Sequence, residues 1–159
     1  IGVVSDTHNH LPNVARIVGL LNAARVERVV HTGDITQPAT LELLARLDAP
    51  LWGVFGNNDR GERTGLEEAA ARFGLRLAEP PLELVWAERR IVVVHDPRDL
   101  DGAGAGHDLA LHGHTHRLHL ERSEQRLVFN PGECAGHLAG HNAVGVVDLG
   151  ALEAELLRF

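Results

Sequence analysis

The chain has no lysine; all 15 of its basic residues are arginine. That excludes a lysine Schiff base and a nucleotide-binding P-loop, both of which need the ammonium group. It has one cysteine, Cys134, which excludes an internal disulfide framework and a Cys-x-x-Cys zinc site, and points to a reducing cytoplasm. Nothing local activates that thiol, so it reads as a small buried residue. No apolar run approaches the roughly 18–20 residues of a membrane-spanning helix, and no basic and apolar secretion signal opens the chain. Ile1 is not an initiator methionine and leads directly into an apolar run, so a residue or two is expected to precede it. Positive charge is in deficit, with a net charge of -7, which argues against broad binding to nucleic-acid backbones.

What is present fits one domain spanning residues 1–159. An apolar fraction of 44% suffices for a core, 17 glycines supply tight turns, and there is neither internal repeat nor linker. Ile1–Val4, Arg28–His31 and Leu51–Phe55 read as short buried strands. Helical spacing follows each: Val14, Ile17, Val18, Leu20 and Leu21 after Pro12, then Leu41, Leu44 and Leu47 after Pro38, then Leu66–Phe73 with Gly74 as its C-cap. Beyond Pro80-Pro81 the period changes. Leu82–Trp86 and Ile91–Val94 form an expected hairpin about Glu88-Arg89. Asp101–Gly106 is an expected flexible loop, because its glycine spacing does not match a nucleotide fingerprint. Short strands at Leu109–Leu111, Leu118–Glu121 and Arg126–Phe129 precede a closing hairpin of Ala143–Leu149 and Leu152–Leu157. A βαβαβα opening and a β-rich end suit two sheets packed together with helices outside.

Eleven histidines stand out in a chain with 4% aromatics. In Leu111-His112-Gly113-His114-Thr115-His116 two of them lie two positions apart, the spacing that puts extended residues on one side. Neutral imidazole is the commonest protein metal ligand. Five apolar runs stop just before such groups: the first before Asp6 and His8, then Asp34, Asn57, His95, and finally His114 and His116. Ligands in open α/β sheets gather beyond the carboxyl ends of strands, so one mixed sheet would bring these seven residues together. Oxygen and nitrogen donors without thiolate suit Mn²⁺, Fe, Ni²⁺, Zn²⁺ or Co²⁺. Seven ligands are too many for one tetrahedral ion and about right for two sharing a carboxylate, an arrangement suited to phosphoryl chemistry.

Asp6-x-His8, Gly33-Asp34, Gly56-Asn57-Asn58-Asp59, His95 and Gly113-His114-Thr115-His116 resemble the ordered motifs of calcineurin-like metallophosphoesterases. Asn130-Pro131-Gly132-Glu133 is similar to a loop of their small single-domain microbial phosphodiesterase branch. The resemblance runs from Ser5 to about Gly136. It implies an α/β fold, a four-layer α/β/β/α sandwich of two mixed sheets flanked by helices. It also implies two divalent ions, Mn²⁺ foremost. Asp6, His8, Asp34 and His116 would surround one, and Asp34, Asn57, His95 and His114 the other. The implied reaction is hydrolysis of a small phosphodiester by metal-bridged water or hydroxide, with Asp34, Asn57 and Asp59 as the catalytic candidates; such relatives often form dimers or tetramers, and the sequence leaves the oligomeric state open. Two positions depart from the pattern. Asn58 stands where many relatives carry a histidine acid, which predicts a preference for good leaving groups, or help from metal-bound water or another residue. His95-Asp96-Pro97 replaces the usual His-Gly-His.

The remaining polar residues read more plainly. His31, His107, His112 and His119 are expected to be packing or surface histidines, and Arg60 and Arg63 solvated charges near a phosphate site. His10, His137 and His141 lie near the expected cleft, and Glu133 is expected to satisfy loop backbone. His95-Asp96 also matches the dipeptide of all-helical HD phosphohydrolases, but the strand before it argues against them. Two rivals remain. One is a protein-interaction scaffold on the same fold, which the complete ligand set opposes. The other is a nuclease, which the acidic balance opposes.

Overall fold

A computed structural model describes residues 1–103 and 106–159. One sheet holds β1 (Gly2–Val4), β2 (Val29–His31), β3 (Leu51–Val54), β4 (Arg76–Ala78), β10 (Ala143–Asp148) and β11 (Glu153–Arg158), in the order β11-β10-β1-β2-β3-β4. Its four central-to-edge strands β1 to β4 run parallel, and the β10–β11 hairpin closes the other side antiparallel. The second sheet holds β5 (Leu82–Trp86), β6 (Arg89–Val93), β7 (Leu109–Leu111), β8 (His119–Arg122) and β9 (Leu127–Asn130), in the order β5-β6-β7-β9-β8. Within it β6, β7 and β9 are parallel.

The inner parallel strands β1, β2, β3 and β7 are too short to show a sequence period and are almost wholly buried, as inner parallel strands are, whereas the edge strand β4 is not. Their alternation appears only in packing. Val3, Val30 and Val54 point between the sheets, against Ile91, Val93, Leu109, Leu111, Leu127 and Phe129. Val4, Val29 and Leu51 point the other way, onto the helices α1 (Leu11–Ala23), α2 (Pro38–Leu44) and α3 (Arg63–Phe73). Helix α1 starts where the His10 ring accepts the Asn13 N–H, with Pro12 in its first turn, and buries Val14, Ile17 and Leu21 at helical spacing. Gly74 ends α3 in the left-handed conformation, φ 70°. The expected two-sheet sandwich is present. Its fourth layer is slight: a 3-10 turn at Pro97–Asp99 and the four-residue α4 (Leu100–Ala103), with Leu100 against Val92, Val94 and Ala110.

Four local expectations change. The hairpin turn is Ala87-Glu88, one residue earlier, because Trp86 pairs with Arg89 and both turn residues have positive φ. Strand β4 had no visible signal. Helix α3 starts three residues before Leu66 and follows a 3-10 helix at Asn57–Glu62. Part of the expected Asp101–Gly106 loop is helical, since α4 runs to Ala103, while Gly104 and Ala105 lie outside the described residues.

Candidate metal centre

The seven ligand candidates lie beyond the carboxyl ends of β1, β2 and β3 in one sheet and of β6 and β7 in the other. The expectation of a single sheet is therefore corrected: the site is a seam where two parallel edges meet. The loops turn sharply there. Asp6, His8, Asp34, His114 and His116 all adopt positive φ, between 41° and 68°, a region that costs non-glycine residues about 1–3 kcal/mol each. Such strain persists only where surrounding contacts over-determine it. Those contacts are visible. Asp59 is buried, and its carboxylate accepts the backbone N–H groups of Asp34 (3.1 Å), Gly56 (2.7 Å) and Thr36 (2.7 Å). Asp59, expected among the catalytic groups, thus faces backbone and ties the Asp34 loop to the Asn57 loop. Gly56 makes that junction possible, since a Cβ there would meet Asp34 N at 2.5 Å. Gly113 does the same between sheets, where a Cβ would meet Ser5 Oγ at 2.5 Å and Asp6 Oδ2 at 2.9 Å.

Two groups of donors result. Asp6, His8, Asp34 and His116 bring one ligand atom each within 4.8 Å of one another. His8 Nε2 lies 3.2 Å from His116 Nε2 and 3.5 Å from Asp34 Oδ2, and His116 Nε2 lies 3.5 Å from Asp6 Oδ1. In the second group His95 Nε2 lies 2.9 Å from Asn57 Oδ1, 3.3 Å from His114 Nδ1 and 3.4 Å from Asp34 Oδ2, and His114 Nδ1 lies 3.0 Å from Asn57 Oδ1. His95 Nδ1 is 2.9 Å from the Thr32 carbonyl, which only accepts, so that nitrogen carries a proton; Nε2 faces inward, with a lone pair in the neutral ring and an N–H toward Asp34 in the imidazolium. Lone pairs converging from oxygen and nitrogen repel unless protons or a cation lie between them. The donor set therefore fits divalent metal, with Asp34 common to both groups.

Charge is tuned accordingly. Burial alone would raise the Asp34 pKa, but hydrogen bonds from His95 and from the Asn58 backbone and side chain outweigh it and hold the carboxyl below the usual range. Burial raises Asp6, opposed by the Ser5 hydroxyl and by His116. Burial lowers His8, whereas at His95 the neighbouring Asp34 outweighs burial and raises the imidazole. Asn58 is turned onto Asp34, its amide 2.8 Å from Oδ2.

His31 and His112 are buried packing groups. His31 Nδ1 accepts the Gly33 N–H at 3.1 Å and Nε2 meets Thr7 Oγ1 at 3.1 Å, while burial pushes its pKa down to about 3. The Cys134 thiol is buried and pushed up to about 12 by burial, which fits its packing reading. His10 caps α1, and His141 is exposed. Arg60 and Arg63 line a cavity of about 480 Å³ that opens beside Asn57, His95 and His114. Arg63 lies 3.7 Å above the Phe55 ring and pairs with Glu67 and Glu79.

Two neighbours of the cluster escaped the strand-end reading. Glu133 is fully buried, and its Oε2 lies 3.2 Å from His116 Nδ1, so it does more than satisfy loop backbone. The exposed His137 ring stacks on His116 with centroids 5.4 Å apart. Both follow β9, which is parallel to β7. The rule applied at five strand ends points to them at a sixth.

The chain belongs to the calcineurin-like phosphoesterase superfamily, whose domain model matches residues 1–151. Among particular relatives, it is 31% identical to a phosphodiesterase of Methanocaldococcus jannaschii over 153 residues, 93% of this chain and 92% of that protein. A solved structure described as a novel archaeal phosphodiesterase superposes with a TM-score of 0.89 at 30% identity, covering 99% of this chain and 98% of that one. Vacuolar protein sorting 29 from Cryptosporidium parvum shares the fold, with a TM-score of 0.63 at 18% identity over 99% and 96% of the two chains. No helix among the described residues is long and apolar enough to cross a membrane.

Proposed function

We propose that the chain is a single-domain, dinuclear metal-dependent phosphodiesterase of the cytoplasm acting on small phosphodiesters. The observation that carries this reading is the convergence of seven oxygen and nitrogen donors on two adjoining points that share Asp34. Asp6, His8, Asp34 and His116 would hold one ion, and Asp34, Asn57, His95 and His114 the other. Bound there, two divalent cations would lower the pKa of water and offset phosphoryl charge. The chain's own groups do the rest. Asp34 stays ionised between the halves, and Asp59 holds its loop. The cavity beside Asn57, His95 and His114 receives the ester's organic group, with the Arg60 and Arg63 guanidinium groups on its wall. Asn58 has no proton to give an alcohol near neutral pH. Rates are therefore expected to fall as the leaving group's pKa rises across a series of aryl diesters, and a flat or rising series would contradict this.

The test strips metal with chelator, then returns Mn²⁺, Ni²⁺, Zn²⁺, Co²⁺ or Mg²⁺ separately and assays an aryl diester beside the matching monoester. Two ions per chain with faster diester hydrolysis, abolished in Asp34→Ala, are expected. Two ions without hydrolysis of either ester would favour an interaction scaffold, and failure to bind metal would overturn the reading.

A further inference from the structure

We infer that Glu133 is a positioning residue that locks His116 in the tautomer with its proton on Nδ1, and so makes the Asp6–His8–Asp34–His116 half the tighter of the two metal-binding halves. This rests on the dinuclear reading above and extends it to a residue outside the seven ligand candidates.

The local sequence explains how Glu133 reaches this place. Asn130 ends β9, and its Oδ1 accepts the Gly132 N–H at 2.9 Å, turning the chain. Its Nδ2 donates to Gly113 O at 3.1 Å and to Thr115 Oγ1 at 3.2 Å, which fastens this turn to the loop that carries His116. Glu133 is thereby buried against the imidazole. A buried carboxylate is costly without a partner of opposite charge or a strong donor. Among the described residues its ion-pair partners are histidines alone, His116 at 3.2 Å and the exposed His137 at 3.6 Å.

A purely structural role would need much less. Glu133 Oε1 accepts the Leu138 N–H, and an amide oxygen could do that equally well. Oε2 has a different task. Of the two carboxylates flanking the ring, Glu133 Oε2 lies nearer Nδ1 (3.2 Å) than Asp6 Oδ1 lies to Nε2 (3.5 Å), which favours the proton on Nδ1 and leaves the Nε2 lone pair directed at His8 and Asp6, where a cation would sit. A carboxylate behind a ligating imidazole also raises its basicity, and loss of such a partner typically weakens metal binding about 10–100-fold. The other imidazoles have weaker backing. His95 donates to the neutral Thr32 carbonyl. The outer Nε2 of His114 lies 3.7 Å from Asp96, a carboxylate already held by Arg98. The carboxylate behind His116 therefore adds to the asymmetry that Asp6 on one side and Asn57 on the other already give the centre.

Two measurements test this on the full chain. Long-range ¹H–¹⁵N spectra of the metal-free protein report each histidine's tautomer, and calorimetric titration with Mn²⁺ reports the binding steps. His116 is expected as Nδ1–H in the wild type. In Glu133→Gln the single amide oxygen cannot serve both Leu138 and His116, so the ring is expected to shift toward Nε2–H. The tighter Mn²⁺ step should weaken about 10–100-fold while the other changes little. A wild-type His116 found as Nε2–H overturns the proposal without any variant, so the test does not depend on Glu133→Gln folding. An unchanged tautomer in the variant, or equal weakening of both steps, also overturns it. A wild type that takes up fewer than two ions would refute the dinuclear reading instead, leaving the tautomer result to stand or fall on its own.

Discussion

The two halves of the centre share Asp34 but differ in charge, burial and support. One adds the buried Asp6 carboxylate to two imidazoles and has Glu133 behind it. The other adds only a neutral amide, Asn57, to two imidazoles, and it borders the open cavity. Each half takes groups from both sheets, so neither exists without the sandwich. The difference separates two tasks. Under the dinuclear proposal, the half with the second carboxylate would retain its cation, while the half that adds only an amide at a cavity would leave room for a substrate oxygen to approach.

Removing the shared group should erase this difference altogether. Asp34→Ala is expected to abolish binding of both ions and to lower diester hydrolysis at least about a thousandfold, measured by metal content and initial rates. Removing one ring from each half should expose it. His116→Ala is expected to eliminate the tighter Mn²⁺ step and His114→Ala the weaker one, each lowering turnover about a hundredfold. Loss of the same step in both variants would break the comparison. The smallest effect lies beneath both halves, at His31. Its folded pKa of about 3 is below the ordinary value of 6.5. Between these values the unfolded chain binds more protons than the folded one. The stability His31 contributes is thus complete above about pH 6.5 and is lost as pH falls towards 3. Going from pH 7 to pH 5 should cost the metal-free protein about 2 kcal/mol from this group, read from urea midpoints. His31→Gln should make the loss shallower.

Much of this arrangement was legible because it depends on local signals. Apolar runs ending at Asp, Asn or His mark strand ends, Pro12 and Pro38 mark helix starts, and Gly74 marks a helix end. What stayed hidden depends on tertiary contact. Arg76-Leu77-Ala78 has no alternation and becomes β4 only by pairing with β3. A list of strand ends does not say which sheet each strand joins, so a seam between two sheets read as one edge. Asp59 was named a catalytic candidate from its motif, and a sequence does not reveal that three backbone N–H groups face its carboxylate. Glu133 was read only as a partner for loop backbone, because a sequence does not show that the Asn130 turn sets its second carboxylate oxygen against His116.

The most direct test is anomalous diffraction from crystals grown with Mn²⁺, first at limiting and then at saturating concentration. Two peaks flanking the Asp34 carboxylate are expected at saturation, with the peak among Asp6, His8 and His116 filling first. A single peak at saturation, or two peaks that do not share Asp34, would contradict a dinuclear centre.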